Sequence, residues 1–261
     1  MKLYIFNSGT LTCDKGLITF GRDAGKRFTV PVPYFLIDHP KGKILFDTGN
    51  AREVATDSHD PHNHWGKMAD AYVPDMKEEE YVVEGLKKMN VDPSEIKCVI
   101  MSHLHLDHAG GIGEFPNAKY FIQEDELRWA YTPQFYQSGA YIRADFDKPV
   151  DWFMMHGYET DNFDVFGDGS VIIWFTPGHT PGHQSLVLKL KNDTYVLTGD
   201  CCYTKEILDE NLLPGLGWNS EHTVRSIQKI RWARDFPGYK VITGHDPEAF
   251  KTLKKAPQYY E

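Results

Sequence analysis

The sequence predicts an α/β fold, an αββα sandwich in which two packed mixed sheets carry helices on their outer faces. Short runs of β-branched and aromatic residues, bounded by Gly, Pro, Asn or Asp, alternate with stretches of helical period, and the pattern occurs twice along the chain. Nothing separates the two halves: there is no repeat of fixed period, no low-complexity tract and no Pro/Ser-rich linker. Residues 1–261, with 41% hydrophobic content, are therefore expected to form a single domain with a sizeable core.

The elements follow in order. Residues 3–6, 30–37 and 43–46 read as strands, the first of them stopping at Asn7-Ser8-Gly9. Over 78–89 the period changes: Val82, Leu86 and Met89 fall at i, i+4 and i+7, with glutamates at the front and Lys87-Lys88 at the back, as the helix dipole favours. Asp92-Pro93 breaks this helix. The apolar run 96–101 then reads as a strand covered on both faces that leads straight into Ser102-His103. Residues 119–123, 171–175, 185–190 and 194–198 are further strands, the last two joined by a hairpin turn at Asn192-Asp193. Val224, Ile227, Ile230 and Ala233 give 220–236 a helical period, and 240–243 is a last short strand ending at Gly244-His245. The stretch 135–166 mixes aromatic and acidic residues without a period and is expected to be a long excursion, either surface wrapping or a pocket wall.

Composition narrows the function. With 37 acidic and 28 basic side chains the net charge is −9, which leaves no basic footprint for nucleic acid. No segment approaches the ~18 apolar residues of a membrane span or the apolar core of a signal peptide, so no membrane partner and a cytoplasmic location are expected. The four cysteines are too few and too irregularly spaced for a disulfide framework, and reduced thiols are expected.

Chemistry concentrates in the histidines. His103-Leu104-His105-Leu106-Asp107-His108 sets four metal-ligating side chains in six residues directly after a buried strand. The alternate histidines can point one way from an extended segment, and Asp107 and His108 can turn toward a second ion if a helix begins at Ala109-Gly110-Gly111. Gly178-His179-Thr180-Pro181-Gly182-His183, Thr198-Gly199-Asp200 and Thr243-Gly244-His245 each offer a further ligand at a strand end. His39 and His222 read as surface or packing residues, and the loop with His59, His62 and His64 as an exposed turn.

These elements resemble the metallo-β-lactamase superfamily over the whole chain, including an early Asp-Thr-Gly turn at Leu45-Phe46-Asp47-Thr48-Gly49. The resemblance implies two divalent metal ions: His103, His105 and His179 on one, Asp107, His108 and His245 on the other, and Asp200 bridging. Asp47 and His183 would support these ligands rather than bind an ion. Nitrogen and oxygen ligands fit Zn, the first expectation, and also Mn, Fe or Co. Two such ions lower the pKa of a bridging water and polarise a carbonyl, which points to hydrolysis, with Asp107 and Asp200 able to take part in proton transfer.

Within the superfamily, a β-lactamase would lack the bridging aspartate and carry a cysteine ligand. The nucleic-acid-cleaving branches need a basic surface, and the glutathione thioesterases add a C-terminal region for which the 16 residues after His245 leave no room. Asp200-Cys201-Cys202-Tyr203-Thr204-Lys205-Glu206, with a tyrosine three residues beyond the bridging aspartate, is similar to the N-acyl-homoserine lactonases. That family implies quorum quenching: a metal-bridging hydroxide opens the lactone ring, and Tyr203 hydrogen-bonds the carbonyl or oxyanion or assists the leaving ring oxygen. It also implies a small-molecule lactone substrate and a homodimer. The alternative is another lactone or ester on the same fold, such as γ-butyrolactone, pyridoxolactone or an aryl ester; a non-enzymatic metal-binding module is disfavoured. The acyl groove is expected among Leu17-Ile18-Thr19-Phe20, His64-Trp65-Gly66-Lys67-Met68, Tyr136 and Phe146. Two departures from the family pattern stand out. Leu106 replaces a common aromatic and is expected to act through its backbone amide, whereas Cys201-Cys202 are expected to alter the pocket and to be open to oxidation.

Overall fold

A computed structural model describes residues 1–261. Twelve strands form two mixed sheets. The first contains β1 (Lys2–Asp14), β2 (Arg27–His39), β3 (Gly42–Phe46), β4 (Val73–Asp75), β5 (Ile96–Ile100), β6 (Lys119–Gln123) and β7 (Asp151–Met155), in the order β4-β1-β2-β3-β5-β6-β7. The second contains β8 (Phe163–Asp164), β9 (Val171–Phe175), β10 (Gln184–Lys189), β11 (Thr194–Leu197) and β12 (Tyr239–Ile242), in the order β12-β11-β10-β9-β8. Strands β3, β5, β6 and β7 run parallel, as do β11 and β12, and the other pairs are antiparallel.

Period-two patterning explains the layering. Phe35 and Ile37 of β2 face the second sheet and share a core with Leu186 and Leu188 of β10, while Leu36 and Val187, one residue along, point to the outer faces. The helix Val82–Lys88 covers the first sheet through Val82, Val83 and Leu86; the helix Ser220–Asp235 covers the second through Ile227, Ile230 and Ala233. Each such buried aliphatic side chain contributes about 1.5–3 kcal/mol. The αββα sandwich is thus as expected.

Three local expectations need correction. The first strand does not end at Asn7-Ser8-Gly9. Gly9 adopts φ 73° in a β-bulge between Asn7 and Thr10, opposite Pro31 and Pro33 of β2, and β1 continues to Asp14. The helix expected over 78–89 is divided: a 3-10 turn, Glu78–Glu80, is closed by Glu80 accepting from the Lys77 amide, and Tyr81 is extended before the helix Val82–Lys88 begins. No helix starts at Ala109-Gly110-Gly111. That stretch turns back on the Asp47-Thr48-Gly49 loop, with the Gly110 amide donating to Gly49 O and the Thr48 hydroxyl to His108 O. Contact is so close that a Cβ on Gly110 would lie 2.0 Å from the Ala51 amide nitrogen.

The aperiodic stretch 135–166 is structured. It holds a 3-10 turn (Ser138–Ala140), a helical turn (Arg143–Phe146), the edge strand β7 and the short β8. Trp152 and Phe153 of β7 pack on Tyr120 and Phe121 of β6.

Candidate metal centre and substrate pocket

Parallel strands leave their C-terminal ends along one edge of the sandwich, and the loops there carry the cluster and its support: Asp47 follows β3, the His103–His108 run follows β5, and Asp200 and His245 follow β11 and β12. His179 enters from the β9–β10 connection. The side chains form two groups. In one, His179 Nε2 lies 3.2 Å from His103 Nε2 and 3.0 Å from His105 Nδ1, with Asp200 Oδ2 3.6 and 3.4 Å from His103 and His179. In the other, His108 Nε2 and His245 Nε2 lie 3.3 and 3.0 Å from Asp200 Oδ1, and 3.7 and 3.5 Å from the two oxygens of Asp107. Asp200 therefore turns one oxygen to each group, and the groups are the two ligand sets expected from the sequence.

The donor set fits cations. His245 donates from Nδ1 to Pro31 O and His108 from Nδ1 to Asp47 Oδ2, both within 2.9 Å, which turns each Nε2 inward, where it can face a cation, a metal ion in place of a proton. The Nδ1 of His103 lies 2.9 Å from Ser102 Oγ, whose own proton goes to Asp47. Lone pairs facing one another at 3 Å repel unless a positive charge sits between them. In keeping with this, His108 Nε2 and Asp200 Oδ1 are buried without a hydrogen bond in the protein.

Electrostatics divides the cluster the same way. Burial holds His103, His105 and His179 below the usual histidine range, so they are neutral and ready to ligate. For His108 and His245 burial also lowers the pKa, but Asp200 and Asp107 outweigh it and hold both above that range. This group attracts positive charge.

The supporting residues act as expected. Asp47, in the left-handed region at φ 57°, accepts from the Ser102 amide at 2.6 Å, the Ser102 hydroxyl at 2.7 Å and His108 Nδ1 at 2.9 Å. His183 lies against Thr176 through Nδ1 and accepts the Asp200 amide at 3.0 Å through Nε2, which orients the bridging carboxylate from behind.

Beside the cluster is a pocket with about 470 Å³ of empty space, part of it open to solvent. Its lining joins His105, Asp107, Asp200, Tyr203 and His245 with the aliphatic side chains of Leu11, Leu17, Ile18, Val30 and Leu216. The Tyr203 hydroxyl lies 3.3 Å from His179 Nδ1. Burial, first, and the nearby Asp200 hold its phenol well above its usual range, so it keeps its proton to donate.

Of the expected groove residues only Leu17 and Ile18 line this pocket. Phe20 is 68% exposed, Tyr136 projects to solvent, and Phe146 and Trp65 are consumed by the cores. Leu106 lines the wall with its side chain, while its amide is taken by Ala140 O, reversing the expectation that it acts through the amide. Cys201 and Cys202 are buried in the outer core of the second sheet and do not line the pocket; burial pushes the Cys201 thiol up to about 12, away from the reactive thiolate. The thiol that does face the pocket is Cys13, and Tyr72 stands near it. Both come from segments whose sequence carries no chemical signal. His64 is not in an exposed turn: it bonds the buried Asp145 at 2.6 Å. His39 stacks on Phe166 as a packing residue.

With the geometry in view, comparison with known proteins gives a consistent result. The metallo-beta-lactamase superfamily model matches residues 27–245. The N-acyl homoserine lactonase AttM of Azorhizobium caulinodans is 44% identical over 100% of this chain and 99% of its own. The chain belongs to the N-acyl homoserine lactonase family of that superfamily. A more distant lactonase, AiiA of Bacillus thuringiensis subsp. kurstaki, is 30% identical over 99% of this chain and 98% of its own. Among solved structures, an N-acyl homoserine lactone hydrolase with the product N-hexanoyl-L-homoserine at its catalytic metal center superposes with a TM-score of 0.85 at 27% identity, covering 99% of this lactonase-family chain and 98% of the other. No helix is long and apolar enough to cross a membrane.

Proposed function

We propose that residues 1–261 act as one hydrolase domain that opens the ring of N-acyl-homoserine lactones. The observation that carries this is the junction of a two-part ligand cluster with a pocket that is polar at the cluster and aliphatic beyond it, the shape required by a lactone head with an acyl tail. His103, His105 and His179 would hold one divalent cation, Asp107, His108 and His245 the other, and Asp200 both. When bound, such a pair supplies a water of lowered pKa and polarises the substrate carbonyl.

The chain's own groups do the rest. Asp200 and Asp107 fix the cluster and can hold the proton released when water adds to the lactone carbonyl. Tyr203 donates its phenol proton toward the carbonyl oxygen as negative charge gathers there, and His179 Nδ1 braces the phenol oxygen at 3.3 Å. The acyl C–O bond of the ring then breaks, the ring oxygen takes a proton to become the homoserine hydroxyl, and the carboxylate remains. Leu11, Leu17, Ile18, Val30 and Leu216 hold the acyl chain by excluding water. Cytoplasmic residence and homodimerisation belong to the same proposal; four free thiols are in keeping with a reducing compartment.

Specificity is tested by comparing kcat/KM for N-hexanoyl- and N-decanoyl-homoserine lactone with γ-butyrolactone, pyridoxolactone and an aryl ester. The acyl-homoserine lactones should lead by at least about tenfold, since burying even one methylene is worth ~0.8 kcal/mol. Preference for a lactone without an acyl chain would overturn the reading in favour of the other hydrolase.

A further inference from the structure

Glu126, on the helix Glu124–Tyr131, is completely buried, and no part of the reaction outlined above employs it. Its carboxylate lies behind the two loops that carry the first group of histidines and divides its oxygens between them. Oε1 accepts the Leu104 amide at 3.0 Å, from the residue between His103 and His105, and the Tyr141 hydroxyl at 3.0 Å. Oε2 accepts the Thr180 hydroxyl at 2.5 Å and the Gly182 amide at 3.3 Å, from the loop of His179 and His183. Tyr141, so held, sets its ring edge-on to His105 with centroids 4.6 Å apart.

We infer that Glu126 is a positioning residue for the metal centre, a buried carboxylate that locks the His103-Leu104-His105 loop to the Gly178–His183 loop and so fixes the three-histidine site. The inference rests on the reading that the cluster holds two metal ions. The physical case is one of geometry and alternatives. An ion bound by three histidines from two loops demands that the loops keep one spacing; a backbone bond from the Gln184 amide to Ser102 O ties them at their strand ends, and none joins them farther out, between Leu104 and Thr180. Glu126 supplies the outer connection with four hydrogen bonds. Burying a carboxylate disfavours its charged form, and burial does push Glu126 up, against the pull of its four donors. Close packing adds to the constraint: a Cβ on Gly182 would fall 2.3 Å from the Glu126 amide nitrogen, so loop and helix cannot slide. In the second group, His108 and His245 are held instead by Asp47 and Pro31 O. Loss of Glu126 should therefore affect one ion and spare the other.

The experiment uses the full chain loaded with two Co(II) ions, whose visible spectrum reports ligand geometry, and follows loss of each ion to a chelator. Glu126→Gln keeps the shape but replaces one acceptor oxygen by an NH2 facing two donors. The expected result is a changed Co(II) spectrum and roughly 10–100-fold weaker retention of one ion per chain, the range for removing a partner of a metal ligand. Its kcat should fall with little change in KM, because the pocket wall is untouched. A spectrum and two release rates matching the parent would overturn the inference, whatever the melting temperature does. Should Glu126→Gln fail to fold, Tyr141→Phe and Thr180→Ala each remove one donor; a graded loss of the same ion supports the inference, and parent-like retention by both overturns it. A parent chain that binds fewer than two ions would instead overturn the reading of the cluster itself.

Discussion

Tyr203 bears the sharpest residue-level consequence. Its hydroxyl touches His179 Nδ1 rather than an inward-facing ligand nitrogen, so removing the oxygen should leave the metal sites whole while taking a donor from the developing oxyanion. For Tyr203→Phe we expect kcat to fall by about 100-fold, within the range for one lost oxyanion donor, with metal content unchanged. An unchanged kcat would remove Tyr203 from the reaction. Residues of this kind were legible in the sequence because chemistry demands particular side chains at strand ends: the seven candidate ligands gather in two groups able to hold a metal ion, Asp47 and His183 bond residues of those groups, and Tyr203 lines the pocket beside them. The pocket wall was not. Leu11, Val30, Cys13 and Leu216 are ordinary apolar residues on separate elements, and only the fold reveals that they face one space. Glu126 sits in an acidic run that resembles any solvated helix start, so its burial left no trace in the pattern.

At the level of elements, the helical turn His62–Trp65 is tied to the helical turn Arg143–Phe146 by the bond between His64 and Asp145, with Glu53 and Lys148 the charged groups near it. The Asp145 hydrogen bond raises the His64 pKa above its usual value, while burial raises that of Asp145. For His64 the charged form is favoured on folding, so its contribution is complete below a pH of about 6.5 and is lost as pH rises through its folded pKa; the burial of Asp145 acts separately, costing stability as pH rises above the ordinary carboxylate range. Consequently the drop in melting temperature caused by His64→Gln should be larger at pH 6 than at pH 8. An equal drop at both would show that the pair does not titrate in this way. The same region marks where sequence reasoning reached its limit. Strands 119–123 and 171–175 were legible to the residue, since each starts just after turn chemistry, Pro116-Asn117 and Gly169-Ser170, whereas Asn7-Ser8-Gly9 mimics a turn and is a bulge. Glycine supplies the same positive φ to both, and only pairing with a neighbouring strand distinguishes them.

The whole molecule places its ligands on both sheets. His103, His105, Asp107 and His108 follow a strand of the first, and Asp200 and His245 follow strands of the second, so the cluster ties the two layers at one edge of the sandwich. Ion binding and sandwich assembly are therefore linked, and hydrolysis should require the complete cluster. The most direct measurement is proton release on adding N-hexanoyl-homoserine lactone to the metal-loaded chain, beside chelator-stripped protein and His103→Ala. The account predicts rapid ring opening by the loaded chain alone, restored to the stripped protein by divalent metal and absent from the variant. Equal turnover by stripped protein or by His103→Ala, or no turnover with two ions bound, would contradict it.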